Sequence, residues 1–127
     1  MYYNTWQYLC VLEGVNFNCF FYFSYMEPII VICTCKKEDV KKIVDALLIK
    51  KLIACVNICN IESFFWWEGK VEKEKEVLLI MKSFAERWNA IQEEIKKVHS
   101  YEVPEIISLS IKNCFPDYLK WMESVVK

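Results

Sequence analysis

The side chains in this sequence that could bind a transition metal are its seven cysteines and its single histidine, His99. Thiolate and imidazole are the ligand types that copper and zinc prefer in proteins. Four cysteines lie in two close pairs, Cys33 with Cys35 and Cys55 with Cys59, and the odd total leaves one thiol over in any disulfide framework. We therefore expect reduced thiols, open either to metal binding or to packing as small apolar core residues.

The apolar pattern from residue 28 onward predicts the elements that position these side chains. Continuous β-branched or apolar runs indicate strands, and apolar residues at spacings of three and four indicate amphipathic helices. Strands are predicted at 28–34, at 52–58 continuing extended over 61–67, at 70–84 and at 105–111, and helices at 37–51, 85–98 and 116–126. The order β-α-β-β-α-β with an extra C-terminal helix predicts an α+β, ferredoxin-like fold, in which helices cover one face of an antiparallel sheet.

The predicted hairpin of residues 61–84 carries more aromatic surface than one subunit can bury. Consecutive strand residues point to opposite faces, so Trp66 and Trp67 cannot both lie beneath the helices of one chain, and neither can Phe64 and Phe65. Contiguous exposed aromatic surface marks an interface, and a long uncovered strand edge invites pairing with another chain. We therefore expect a homo-oligomer joined through these four residues. The alternative is a monomer whose N-terminal residues fold over the open face.

Polar side chains around a proline form a second group that could bind a ligand or take part in chemistry. A phenol and two carboxylates flank Pro104, which fixes the chain direction before a predicted strand. With a nearby tryptophan and lysine, they are predicted to line a cleft between subunits that binds a small anion or a metabolite. The predicted cleft residues are Trp67, Lys82, Tyr101, Glu102 and Glu105. The alternative is that they hold subunits together by hydrogen bonds and ion pairs. A hydrolase is disfavoured because the sequence contains no Ser-His-Asp order and no glycine-rich phosphate loop.

Composition divides the 127 residues into an N-terminal segment, 1–27, and one domain, 28–127. The segment has no lysine or arginine and ten of the twenty aromatics, yet its uncharged stretches are shorter than the ~20 residues of a spanning helix. We expect no stable membrane insertion. The segment is interpreted as an organelle or secretory targeting leader, as a dispensable extension or gene-model artefact, or as an extra element packed on a cytoplasmic domain. The net charge of −1 disfavours nucleic-acid binding.

Five collinear blocks of the sequence resemble the CutA divalent-cation tolerance family. The blocks are 52–58 (LIACVNI), Ser63 with 66–70 (WWEGK), 76–82, 99–106 (HSYEVPEI) and 118–121 (YLKW). The resemblance covers 28–127 and none of 1–27. It implies a ferredoxin-like subunit in a homotrimer, similar in architecture to PII signalling proteins, with clefts between subunits. It also implies tolerance or binding of divalent metals, copper above all, without enzyme activity. The alternative function is a PII-like signalling or scaffold module that binds a small molecule in those clefts.

The resemblance also implies a set of metal ligands. The family's copper-associated cysteine matches Cys33, and its histidine element matches His99. Val98 stands where some bacterial members have a second histidine, and Ser100 stands where proline is usual, so one donor is lost. Cys35, on the same strand face as Cys33, is predicted to replace it. The expected ligands for copper, with zinc as the alternative metal, are therefore Cys33, Cys35 and His99.

Overall fold

Two long central strands, each paired on both sides, organise the structure. The computed structural model describes residues 26–127, so the predicted N-terminal segment lies outside the described residues except for its last two. The elements are β1 (Pro28–Cys35), α1 (Lys37–Ile49), β2 (Cys55–Trp67), β3 (Lys70–Phe84), a 3-10 turn (Ala85–Arg87), α2 (Trp88–Val98), β4 (Ile106–Ser110) and α3 (Pro116–Val125). The strand order is β2-β3-β1-β4, and all pairs are antiparallel. This confirms the predicted α+β class and the antiparallel sheet.

The second strand begins three residues later than predicted and then runs without interruption to Trp67. Leu52 and Ile53 are buried but precede the strand, because the Leu52 N–H instead closes α1 by donating to the Leu47 carbonyl at 3.0 Å. Residues 59 and 60, which lie between the two predicted extended stretches, also belong to the ladder, in which Asn60 pairs with Val77. Burial in a loop and burial in a strand give the same apolar run, so the pattern alone did not separate them.

The main core lies between one face of the sheet and the helices α1 and α2. Alternate residues of β1 and β3 point to this face, as the period of two requires. The helices complete the core with stripes at spacings of four residues, since Ile43 and Leu47 lie on α1 and Ile91 and Ile95 lie on α2. The strand residues of this core include Ile29, Val31, Cys33, Cys35, Val77, Leu79 and Met81. Cys33 and Cys35 are therefore part of the hydrophobic core.

The C-terminal helix packs on the opposite face of the sheet, at one corner. Met122 and Val126 form a small buried cluster with Phe84, which alternation places on the face away from α1 and α2. The Tyr118 hydroxyl also contacts Cys55 Sγ at 3.3 Å, and this contact raises the pKa of Tyr118 to about 12. Helices therefore do not lie on one face alone, because the apolar stripe of α3 finds its partner in Phe84.

The rest of that second face is left open within one chain. On β4, Ile107 and Leu109 are exposed, while Ile32 and Ile80 in the sheet centre are only half-buried. Such apolar surface at a sheet face marks a contact surface. Among residues 26–127, none of the helices is long and apolar enough to cross a membrane.

We expect Ile91→Ala to lower the free energy of unfolding by about 2–5 kcal/mol, because it opens a cavity where α2 meets the sheet. Ile49→Ala makes the same chemical change at a position that is 78% exposed and should cost less than about 0.5 kcal/mol. Urea unfolding at one protein concentration compares the two variants. Equal losses would contradict the assigned core.

Candidate functional site

His99 has both ring nitrogens engaged in hydrogen bonds. The Tyr101 N–H donates to Nδ1 at 3.0 Å, so the neutral ring carries its proton on Nε2, which donates to the Thr34 carbonyl at 2.8 Å. The residue directly follows α2, and its backbone N–H donates to the Ile95 carbonyl at 2.9 Å. His99 thus links the end of α2 to the end of β1. A metal ion on Nε2 would have to replace the bond to Thr34.

The predicted cysteine ligands lie beside this histidine but are buried. Cys33 and Cys35 occupy the core face of β1, and the Cys33 thiol donates to the Thr34 carbonyl at 3.6 Å. Burial raises the pKa of Cys33 to about 12 and that of Cys35 to about 11, so both thiols are protonated at neutral pH. The Cys33 thiol and the His99 imidazole therefore share one acceptor, the Thr34 oxygen.

A convergent metal site is not formed by these side chains as they stand. Between residues 26 and 127, the structure contains no group of three or more His, Cys, Asp or Glu side chains that could hold a metal ion. Cys33 and His99 meet at the Thr34 carbonyl, Cys35 is buried on the same face of β1 as Cys33, and the role of all three as ligands stays a prediction.

A buried carboxylate holds the segment that follows His99. Asp39, in the first turn of α1, accepts hydrogen bonds from the Ser100 N–H at 3.0 Å and from the Ser100 hydroxyl, and Lys42 Nζ lies 3.1 Å from it. Burial opposes ionisation of Asp39, but these hydrogen bonds and the Lys42 charge outweigh it and lower the pKa below 3.8. The segment that carries Tyr101 is therefore fixed to α1 as well as to β1.

This fixed segment forms one wall of a groove of about 810 Å³, and the β2–β3 hairpin forms the other. Trp67, Tyr101, Glu102 and Glu105 all line it, so four of the five predicted cleft residues meet in one chain. Lys82 lies elsewhere, since it pairs with Cys55 and donates to Asn57 Oδ1 near the start of β2. Aromatic residues at the groove are Phe64, Phe65, Trp66, Trp67 and Tyr101. Its glutamates are Glu72, Glu74, Glu76, Glu102 and Glu105, and its lysine is Lys36.

The hairpin separates its charges onto two faces. Its sequence alternates lysine and glutamate, which indicated a solvated turn with cross-strand ion pairs. Since strand residues alternate sides, Glu72, Glu74 and Glu76 all point to the groove, and Lys73 points away and lies 3.8 Å from Glu62. The alternation of Lys and Glu in the sequence was enough to predict that the two charges lie on opposite faces of the hairpin. It did not predict that the acidic face lines a groove.

Tyr101 connects the buried end of the groove to His99. Its ring packs at 5.0 Å from the His99 ring, measured between centroids. Burial raises the pKa of Tyr101 well above its usual value. A hydrogen bond to Glu76 and the negative charge of that carboxylate raise it further. The phenol is thus a permanent donor. Glu76, only 6% exposed, was not singled out from the sequence, and neither was Asp39.

The aromatic residues predicted to join subunits are largely exposed in one chain. Trp66 is 75% exposed, Phe64 is 65% exposed, Trp67 is also exposed, and Phe65 is half-buried. They lie at the far end of the hairpin, on the edge strand β2. The folded chain therefore leaves uncovered most of the aromatic surface that, from strand alternation, one subunit was not expected to bury.

Comparison with known proteins shows that the sequence and the fold are similar to those of one family. The family model for the CutA1 divalent ion tolerance protein matches residues 29–125. The divalent-cation tolerance protein CutA of Pyrococcus horikoshii is 44% identical over 85 residues, 67% of this chain and 83% of that protein. The structure of the periplasmic divalent cation tolerance protein CutA from Archaeoglobus fulgidus is similar with a TM-score of 0.76 and 38% identity, covering 79% of this chain and 99% of that chain. CutA1 from Oryza sativa gives a TM-score of 0.77 at 40% identity, covering 80% and 95% of the two chains.

We expect Ser100→Ala to cost about 1–2 kcal/mol of stability at pH 7, because the buried Asp39 carboxylate loses a donor. The contribution of a carboxyl with a lowered pKa is complete above its unfolded pKa, about 3.9, and is lost as the pH falls through its folded value. The difference from wild type should therefore shrink below about pH 4. Urea unfolding as a function of pH measures it. Ser124→Ala, which removes a bond to the Trp121 carbonyl, should show no such pH dependence.

Proposed function

This chain belongs to the CutA1 divalent ion tolerance protein family, and we propose that it acts as a homotrimeric, non-catalytic protein that binds copper. The observation that carries the homotrimer is the exposed aromatic end of the hairpin on an edge strand. The family supports the divalent-cation role. The trimer, the metal and the ligands are proposed from the residues described above.

The trimer follows from surface that one chain leaves uncovered. β2 is a 13-residue edge strand, and its outer backbone groups are available to another chain. Burying one tryptophan side chain contributes about 2–3 kcal/mol, and Trp66 and Phe64 are both mainly exposed. The open sheet face adds Ile107 and Leu109. A second copy that pairs with β2 would cover the aromatic end of the hairpin, and three copies around an axis would close the open faces against one another.

Copper is proposed to bind where Cys33 and His99 share the Thr34 oxygen. A soft ion on Cys33 Sγ and His99 Nε2 would replace the two hydrogens that now point to that oxygen, and Cys35 would supply a second thiolate. Thiolates select copper(I), and zinc is the alternative. The cost is release of one proton from each of two thiols whose pKa values burial has raised. The proton on His99 Nε2 would also have to move to Nδ1, which would break the hydrogen bond from the Tyr101 N–H.

A second candidate function is PII-like binding of a small molecule, and the groove favours it. Its volume of about 810 Å³ lies within the range of small-ligand sites, and polar groups converge beside aromatic rings. We also propose a cytoplasmic location, with organelle or secretory targeting by residues 1–27 as the alternative. Imaging of fluorescent fusions with and without residues 1–27 tests the location, and an unchanged distribution removes the targeting role.

We expect sedimentation at micromolar concentration to give about three times the 15.2 kDa mass of one chain. Trp66→Glu should shift the protein toward monomer, because it places a charge where apolar surface must be buried. Ile49→Glu adds the same charge at an exposed position on α1 and should leave the mass unchanged. A wild-type protein that stays monomeric and folded would contradict the trimer.

We expect copper(I) affinity, measured by chelator competition, to fall at least about tenfold in Cys33→Ser and in His99→Ala. Cys59→Ser removes an exposed thiol and should bind like wild type. Because the thiols must lose protons, affinity should fall as the pH is lowered from 9 to 6, by about tenfold per unit for each proton released. Unchanged affinity in both ligand variants would remove the proposed site. Their thermal unfolding curves show whether they are folded.

A further inference from the structure

The C-terminal helix α3 carries aromatic side chains that its packing on the sheet leaves uncovered. Phe115, which directly precedes the helix, is 70% exposed, and Tyr118 and Trp121 are exposed as well. These three residues recur at every third position, so they form a stripe along α3, beside the buried side that carries Met122. The Tyr118 and Trp121 rings lie 5.3 Å apart between centroids, which makes this α3 stripe continuous. Contiguous exposed aromatic surface marks a contact surface.

The first residues that the structure describes lie at the same corner of the sheet. Met26 packs against the small buried cluster that holds α3 on the sheet. Glu27 is fixed beside it, because the Ala85 N–H donates to the Glu27 carbonyl at 2.8 Å and the Ser110 hydroxyl donates to the Glu27 carboxylate at 2.8 Å. The part of the chain that precedes Met26 is therefore attached at a fixed point next to α3.

The residues just before this point are apolar and aromatic. Residues 14–26 contain no charged side chain, and residues 17–25 (FNCFFYFSY) contain six aromatic ones. Moving one phenylalanine side chain from water into an apolar contact contributes about 1.5–3 kcal/mol. Nine residues can extend over as much as about 30 Å, whereas the ten residues of α3 span about 15 Å. The segment is thus long enough to follow the whole α3 stripe.

We propose that the α3 stripe is the docking site of residues 17–25 of the same chain. A segment tethered at Met26 meets the stripe at a high effective concentration, so its docking avoids the entropy cost that a separate molecule pays on association. The aromatic end of the hairpin cannot cover the stripe within one chain, because β3 separates Lys70 from Phe84 by about 45 Å. The family model matches residues 29–125, so this inference lies outside the matched region, and it depends on neither the copper ligands nor the trimer.

Photo-crosslinking of the full chain tests this proposal. The probe is p-benzoylphenylalanine in place of Phe115, and we expect it to react with residues 17–25. The sequence has no lysine or arginine before Lys36, so trypsin releases residues 1–36 as one peptide, and the probe lies in the peptide 113–120. Mass spectrometry identifies the joined pair and locates the link. The same probe in place of Glu93, on the exposed surface of α2 across the sheet, should not react with residues 17–25.

Substitutions within the segment provide a second arm of the experiment. Phe20→Ser, Phe21→Ser and Phe23→Ser combined should remove the crosslink from position 115, because the segment loses most of its apolar surface. Trp6→Ser and Tyr8→Ser combined remove aromatic residues outside 17–25 and should leave the crosslink unchanged. Neither set changes a residue of the buried core, so loss of the domain fold would not explain a difference between them.

A crosslink from position 115 to the tryptic peptide 52–70 would overturn the proposal, because the aromatic hairpin of a second copy would then cover the stripe. Isotope-labelled and unlabelled chains refolded together should give no hybrid crosslink to 17–25, and a hybrid would show that the segment docks on another chain instead. Equal crosslinking in both sets of serine variants, or no crosslink in the wild-type sequence, would also overturn the proposal. Sedimentation of the same samples decides the trimer separately.

Discussion

The hydrogen bond from His99 Nε2 to the Thr34 carbonyl is the contact on which the site depends. It joins the end of α2 to the end of β1, and the Asp39–Ser100 contacts repeat the attachment at α1. With these contacts in place, the segment after residue 99 is held in one position beside the hairpin. Tyr101 and Glu105 can then form one wall of the groove. A histidine that looked like a metal ligand is thus also a structural connector, and the two roles compete for Nε2.

The hairpin that forms the other wall serves two surfaces because strand residues alternate. One face carries the acidic row that starts at Glu72, and the opposite face and the far end carry Trp66 and Phe64 in solvent. An aromatic end of this size is unstable as free surface, whereas it is favourable as an interface. The same strands therefore carry both exposed aromatic surface and the acidic wall of the groove, at positions separated by a single residue.

Burial sets the chemistry of the titratable groups around the groove. It keeps Cys33 and Cys35 as neutral thiols and keeps Tyr101 as a phenol, whereas Asp39 is held ionised by its hydrogen-bond donors. A soft metal must displace protons to reach the thiols. Copper affinity is therefore expected to depend on pH, since it requires thiol deprotonation.

Sequence patterns alone predicted the elements, their order, the family resemblance and the fact that Trp66 and Trp67 cannot both be buried in one subunit, because periodicity and strand alternation are local properties. They did not show that both nitrogens of His99 are engaged, that Glu76 is buried, that Lys82 lies away from the groove, or that α3 packs on the second face of the sheet. Each of these depends on strand register and on contacts between residues distant in the chain. Only the tertiary structure decides them, because a hydrogen-bond partner or a buried charge is defined by what lies across from it in space.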